Sequence, residues 1–252
     1  MAIDFSRHGA VARIAFNRPE KLNALSLAMY DDLGRAFEEV GNDPEIRCAV
    51  LTSAGGRAFC VGADLTESIP ALAADRFDIS AWDPAHLKVP GFYKPVVCAI
   101  NGLCLGGGFE IMLATDIRLA APGAVFQLPE PSHGFVPAGG TLVRLVRQIG
   151  YAQAMEILLT AQRFSAAEMV AKGVVNRVVE GDVEAEAFAV ADRIAALSPQ
   201  AVQTIKQAVL TLQDLPLEEA FRQEAALGQK TFTSDDARRA LAAFASRGAN
   251  GR

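Results

Sequence analysis

Residues 95–117 read "PVVCAINGLCLGGGFEIMLATDI". Pro95 to Asn101 form a short, nearly continuous apolar run of the kind a buried strand shows. Gly102 and the triplet Gly106, Gly107 and Gly108 separate it from "FEIMLATDI", which the pattern predicts to be a helix starting near Gly108. The same rhythm occurs upstream. "VARIAFN" (Val11 to Asn17) alternates with period two, "CAVLTSA" (Cys48 to Ala54) is a second continuous apolar run, and Met29, Leu33, Phe37 and Val40 between them repeat at helical spacing. Strand, helix, strand predicts an α/β fold.

From about Gly140 onward helical patterning dominates. It runs over 151–160, 165–172, 182–197, 199–213, 217–232 and 234–246, with breaks at Ser198-Pro199 and Leu215-Pro216. A boundary is expected near Leu197, dividing a core of residues 1–197 from a helical region of residues 198–252. Residues 65–93 are the least periodic stretch and carry the single tryptophan, Trp82, and three prolines. So long an irregular segment within a compact domain points to a lid or a surface loop.

Composition excludes several classes of function. The chain of 252 residues is 51% apolar and 21% charged, and contains no run of about 18 uncharged apolar residues, so neither a membrane span nor disorder is expected. The net charge of -5 counts against sequence-independent nucleic-acid binding, which depends on phosphate neutralisation. Cys48, Cys60, Cys98 and Cys104 form no CxxC pair and read as buried thiols of a reducing compartment. The N-terminus reads as one alternating strand, not as a signal peptide, so a cytoplasmic location is expected. His8, His86 and His133 are too scattered for a zinc motif, and no metal is expected.

The glycine triplet carries chemistry. A glycine turn at a helix start leaves peptide N–H groups free and removes the Cβ atoms that would hold a ligand away. The Walker spacing is absent, and Ile111 stands where the third glycine of GxGxxG belongs. An alternative anion is the oxyanion of a reacting carbonyl, and Glu110, three residues after Gly107 and on the same side, would then set a base beside those donors. The alternative for Glu110 is a first-turn carboxylate complementing the helix dipole, worth about 0.3–1 kcal/mol.

Three ordered stretches, "GRAFCVGADL" (56–65), "NGLCLGGGFEIMLATDIRLA" (101–120) and "FQLPEPSHGFVPAGGTLVRL" (126–145), together resemble the enoyl-CoA hydratase/isomerase, or crotonase, family. The likeness extends to "NRPEKLNAL" (17–25), "AAEMVAKGVVNRVV" (166–179) and "SPQAVQTIKQAV" (198–209), nearly the whole chain. "VPAGG" (136–140) and "LPLEEAFR" (215–222) lean toward the carnitinyl-CoA dehydratase-like branch. The resemblance implies a spiral of ββα units followed by a C-terminal helical trimerisation region, assembled as a homotrimer or a dimer of trimers.

It also implies an acyl-CoA thioester substrate, with coenzyme A part of that substrate and no separate cofactor. The N–H groups of Ala63 and Gly107 would form the oxyanion hole, and Ala63, Asp64, Leu65 and Gly107 would line the substrate site. Glu110 and Glu130 match the two catalytic glutamates of the hydratases, Glu110 as the base for water and Glu130 as the acid. Hydration of a 2-enoyl thioester needs such a set, because charge builds on the thioester oxygen while one proton leaves water and another reaches C2. A Δ3,Δ2-enoyl-CoA isomerase, a carnitinyl-CoA dehydratase-like enzyme and a non-catalytic acyl-CoA-binding relative are the alternatives. Thr66 stands where the hydratases often carry a lysine two residues after the aspartate of "GAD", which weakens one charged contact that the resemblance would imply to the CoA phosphates.

Overall fold

Two parallel-rich sheets are wound by one repeated path. The structure, a computed structural model, describes residues 2–74 and 78–249, with side chains described through residue 244. Strands β1 (Ile3–His8) and β2 (Val11–Phe16) precede helix α1 (Leu27–Asn42). Then follow β3 (Cys48–Ser53), β4 (Ala58–Cys60) and α2 (Ser68–Ala73); β5 (Val96–Ile100), β6 (Leu103–Leu105) and α3 (Gly107–Leu113); and β7 (Ile117–Ala120), β8 (Val125–Gln127) and α4 (Thr141–Ile149). In each of these three turns the first strand joins a six-stranded sheet and the second joins a four-stranded sheet before a helix closes the turn. This is a spiral of ββα units.

The chain continues through α5 (Tyr151–Thr160), β9 (Phe164–Ser165), α6 (Ala166–Ala171), β10 (Arg177–Val178), α7 (Val183–Ala195), α8 (Pro199–Leu212), α9 (Leu217–Phe232) and α10 (Asp235–Ala249). The larger sheet has the order β1-β2-β3-β5-β7-β10, parallel except for the β1–β2 pair, and the smaller runs β4-β6-β8-β9 with β9 antiparallel.

The continuous apolar runs of β3 and β5 follow from burial on both faces. Ala49 and Leu51 of β3, with Val96, Cys98 and Ile100 of β5, enter the main core, while Cys48, Val50, Val97 and Ala99 pack on the other face beneath Val183, Ala187, Val190 and Ala191 of α7. The N-terminal stretch differs from its reading as a single strand. It is a hairpin in which His8 stands opposite Val11, reversed at Gly9, whose φ of +60° lies in the left-handed region that glycine adopts without a Cβ penalty.

Helices α8 and α9 have no buried residues. One anchor of α8 is Lys206, whose Nζ donates to Asp116 Oδ2 at 2.7 Å and to the Lys94 carbonyl at 2.9 Å and lies over the Phe92 ring. Val209, Phe221, Phe232 and Phe244 on the last three helices are exposed. Among the described residues no helix is long and apolar enough to cross a membrane.

Candidate active site

Two loops bring unpaired peptide donors together. Asn23, at φ +56° and fully buried, donates from Nδ2 to the carbonyls of Ala54 and Ala58 and accepts from the Arg18 N–H, so "NRPEKLNAL" clamps the chain on both sides of the turn before β4. Leu25 then forms an isolated parallel bridge with Ala63: its N–H donates to Gly62 O at 2.8 Å, and Asp64 N–H donates to Leu25 O at 2.9 Å. In such a bridge the flanking residues supply the bonds, so the N–H of Ala63 points to the opposite side.

On that side stands the start of α3. Gly106 adopts φ 51°, ψ -126°, a backbone conformation suited to glycine, and its N–H donates to Gln127 O at 3.0 Å. Gly107 is the first helical residue, one position earlier than the sequence pattern indicates, and its N–H is one of the orphan donors of a helix N-terminus. A Cβ built on Gly107 would lie 3.6 Å from Ala63 N, and one built on Gly62 would lie 2.8 Å from Gly107 N. Neither the Ala63 nor the Gly107 N–H donates to another group among the described residues. Two such adjacent donors stabilise negative charge on an oxygen placed between them.

Gly108 serves packing instead. A Cβ there would fall 2.3 Å from the Cys60 carbonyl oxygen, so its absence lets α3 lie against β4.

Glu110 and Glu130 line the same cleft of about 580 Å³, and each is only 7% exposed. Glu110 does not turn back to its own helix. Its Oε1 accepts from the Gly139 N–H at 2.6 Å and from the Thr141 hydroxyl at 3.2 Å, both at the entry to α4. Burial and the neighbouring Glu130 charge push its carboxyl up to about 7, opposed by those two donors. Glu130 follows β8 in a short 3-10 turn, Glu130–His133, and burial pushes it also to about 7. A Cβ on Gly106 would meet its Oε1 at 3.0 Å, and its Oε2 has no hydrogen-bond partner among the described residues. One carboxyl is thus furnished with donors for its charged form and the other has a bare, buried oxygen.

Asp64 and Leu65 also border the cleft. The Asp64 carboxylate accepts from the Thr66 hydroxyl and N–H and from Arg18 at 2.7 Å, contacts that hold it at about 2 and brace the turn carrying Ala63. Thr66, standing in the family's lysine position, is therefore part of that brace. Leu65 is 63% exposed at the cleft edge.

The irregular segment 65–93 supplies one wall. Within it, Asp75, Arg76 and Phe77 lie outside the described residues; Ile69, Leu72, Ile79, Trp82 and His86 line the cleft. Trp82 stacks on Tyr30 with ring centroids 4.0 Å apart and planes 7° from parallel. The sequence reading misses Tyr30 and His86 as site residues. Tyr30 adjoins Met29 in the buried face of α1, and its hydroxyl would touch a Cβ on Gly107 at 3.0 Å. Among the described residues no group of three or more His, Cys, Asp or Glu side chains is placed to hold a metal ion.

Comparison with known proteins adds to this geometry. The profile of the family described as enoyl-CoA hydratase/isomerase matches residues 6–250. The chain is 39% identical over 244 residues to enoyl-CoA hydratase EchA19 of Mycobacterium tuberculosis, covering 95% of this chain and 91% of that protein. It is 35% identical over 223 residues to carnitinyl-CoA dehydratase of Proteus mirabilis, covering 88% and 85% of the two chains. The crystal structure of enoyl-CoA hydratase from Bacillus anthracis superposes with a TM-score of 0.91 at 32% identity, covering 98% of this chain and 97% of that one.

Proposed function

Because the chain belongs to the enoyl-CoA hydratase/isomerase family, we propose that it hydrates a 2-enoyl-CoA thioester to the 3-hydroxyacyl-CoA, through Glu110, Glu130 and the N–H groups of Ala63 and Gly107. The observation that carries this reading is the convergence, in one cleft, of two unpaired peptide donors with two buried carboxyls of unlike hydrogen bonding. The thioester oxygen sits between the two N–H groups. Water attacks C3 and loses a proton to the Glu110 carboxylate, which its two donors favour in the charged form. The electron pair of the C2=C3 bond moves toward the thioester, and the two donors stabilise the enolate oxygen. Glu130, which burial raises far enough to keep a protonated form near neutral pH, delivers its proton to C2, and the enolate collapses back to the thioester.

Read backwards, the same set dehydrates a 3-hydroxyacyl-CoA, a direction supported by the likeness to a carnitinyl-CoA dehydratase. Retention of both acids weighs against an isomerase, which needs one dominant proton shuttle. Coenzyme A enters as part of the substrate, and Lys21 and Arg163 at the cleft are cations for its phosphates. No separate cofactor is required. A cytoplasmic enzyme assembled as a trimer or dimer of trimers completes the proposal, with the exposed apolar side chains of α8 and α9 as the contact faces; sedimentation tests the assembly. Loss of the conjugated thioester absorbance of crotonyl-CoA tests the reaction, and a purified protein that binds this compound without consuming it would overturn the hydratase reading.

A further inference from the structure

His86 is 2% exposed and lines the cleft, and its Nε2 has no hydrogen-bond partner among the described residues. Its Nδ1 lies 2.9 Å from the carbonyl oxygen of Trp82. A carbonyl oxygen only accepts, so Nδ1 carries the hydrogen of the neutral ring and Nε2 presents a bare lone pair. Burial keeps the ring neutral, with its pKa lowered to about 4. An unpartnered acceptor in a buried place is costly unless something in the cleft donates to it.

Gly139 lies beside the Nε2–Cδ2 edge of the ring. A Cβ on Gly139 would fall 2.4 Å from His86 Nε2 and 2.9 Å from the carboxyl carbon of Glu110, so the two groups can be no farther apart than those two lengths laid end to end. A water has two hydrogens, and these two acceptors lie close enough together for one water to reach both. With one hydrogen on each, its oxygen lone pairs point away from both.

Resting on the hydratase reading above, we propose that His86 is a positioning residue: Nε2 accepts one hydrogen of the attacking water while the Glu110 carboxylate accepts the other. On attack Glu110 takes its proton. His86 takes none, and its hydrogen bond passes to the new 3-hydroxyl group. The water is thereby oriented before reaction, and misplacement of a reacting group by about 1 Å costs on the order of 10²-fold in rate.

Two substitutions separate this role from a merely structural one. Asparagine places its amide near Nδ1, keeping the bond to Trp82 O and losing the Nε2 acceptor; glutamine reaches the Nε2 position and loses the Trp82 bond. Hydration of crotonyl-CoA by the full chain is measured for both, together with exchange of the C2 protons of butyryl-CoA in deuterium oxide, a step that needs no attacking water. His86→Asn is expected to lose about 30- to 100-fold in kcat with KM changed by less than about twofold, and His86→Gln about fivefold, with C2 exchange little affected in either. The reverse order, equal losses, wild-type turnover in His86→Asn, or a parallel loss of C2 exchange would overturn the proposal. Failure of the wild-type chain to hydrate would instead count against the hydratase reading.

Discussion

The Gly139 N–H donates to Glu110 Oε1 across 2.6 Å, tying a carboxyl on α3 to the loop that enters α4. The Thr141 hydroxyl adds a second donor to the same oxygen. Hydrogen bonds to a charged group contribute about 1.5–3 kcal/mol each and here oppose the burial and the Glu130 charge that hold the Glu110 carboxyl at about 7. Glu130 Oε2 has no such partner. The pair is therefore asymmetric in hydrogen bonding, although burial leaves both carboxyls at about 7, and it is the hydrogen bonding that favours Glu110 as the base.

Glu110→Gln and Glu130→Gln are each expected to lower kcat for hydration by about 10²–10⁴, since each removes a proton-transfer group at nearly constant shape. Steady-state kinetics on crotonyl-CoA measures this. Near-wild-type turnover in either variant would remove that residue from the reaction.

The raised carboxyl pKa values also make a stability prediction. Glu130 is at about 7 in the folded chain against an ordinary 4.5, so between those pH values the folded state holds a proton that the unfolded state has released. Its contribution to stability is full below about pH 4.5 and falls as pH rises to about 7. Glutamine has no such penalty, so Glu130→Gln should gain stability relative to wild type across that window. His86, held at about 4, has the opposite slope below its ordinary 6.5, but it is present in both proteins and cancels, whereas Glu110, raised in part by the Glu130 charge, drops once that charge is gone and widens the gap in the same direction. Denaturant melts of the pair at pH 5 and pH 8 measure the difference; a constant gap would contradict the raised pKa.

The legibility of these features in the sequence follows from their physics. β3 and β5 are readable because burial on both faces makes them continuous apolar runs. β4, β6 and β8 have only three residues each, too few for a period, so the second sheet is invisible without the family likeness. α4 falls in the region read as helical from about Gly140, but its own bounds go unread, although Leu142, Leu145, Val146 and Ile149 recur at helical spacing. Glu110, Glu130, Ala63 and Gly107 stand out through their motifs. Tyr30 looks like one more core residue of α1, and His86 like one of three scattered histidines. Only the chain path over Trp82 brings both to the cleft.

Residues 65–74 and 78–93 form a wall of that cleft through Ile69, Leu72, Ile79, Trp82 and His86. An acyl group bound there covers their apolar surface, so their amide hydrogen exchange is expected to slow when an acyl-CoA is added. Unchanged protection throughout the segment would remove it from substrate binding.

Gly107 and Gly108 are neighbours with opposite predictions. A Cβ on Gly108 meets the Cys60 backbone oxygen at 2.3 Å, so Gly108→Ala must push α3 off β4 and is expected to cost about 1–3 kcal/mol of stability. A Cβ on Gly107 meets no backbone closer than 3.5 Å, and its nearest neighbour is the Tyr30 hydroxyl at 3.0 Å. The backbone therefore leaves room for a side chain once the Tyr30 hydroxyl gives by a few tenths of an ångström, but its Cβ would stand 3.6 Å from the Ala63 nitrogen, beside the place proposed for the thioester oxygen. Gly107→Val should accordingly stay folded while losing at least about 10²-fold in kcat/KM, the scale of removing one oxyanion donor. Free coenzyme A should bind it nearly as it binds wild type, and acyl-CoA markedly more weakly. Kinetics, melting and calorimetric titration of the two variants distinguish the outcomes: a folded Gly107→Val with normal turnover would leave all three glycines as packing residues and end the oxyanion-hole assignment.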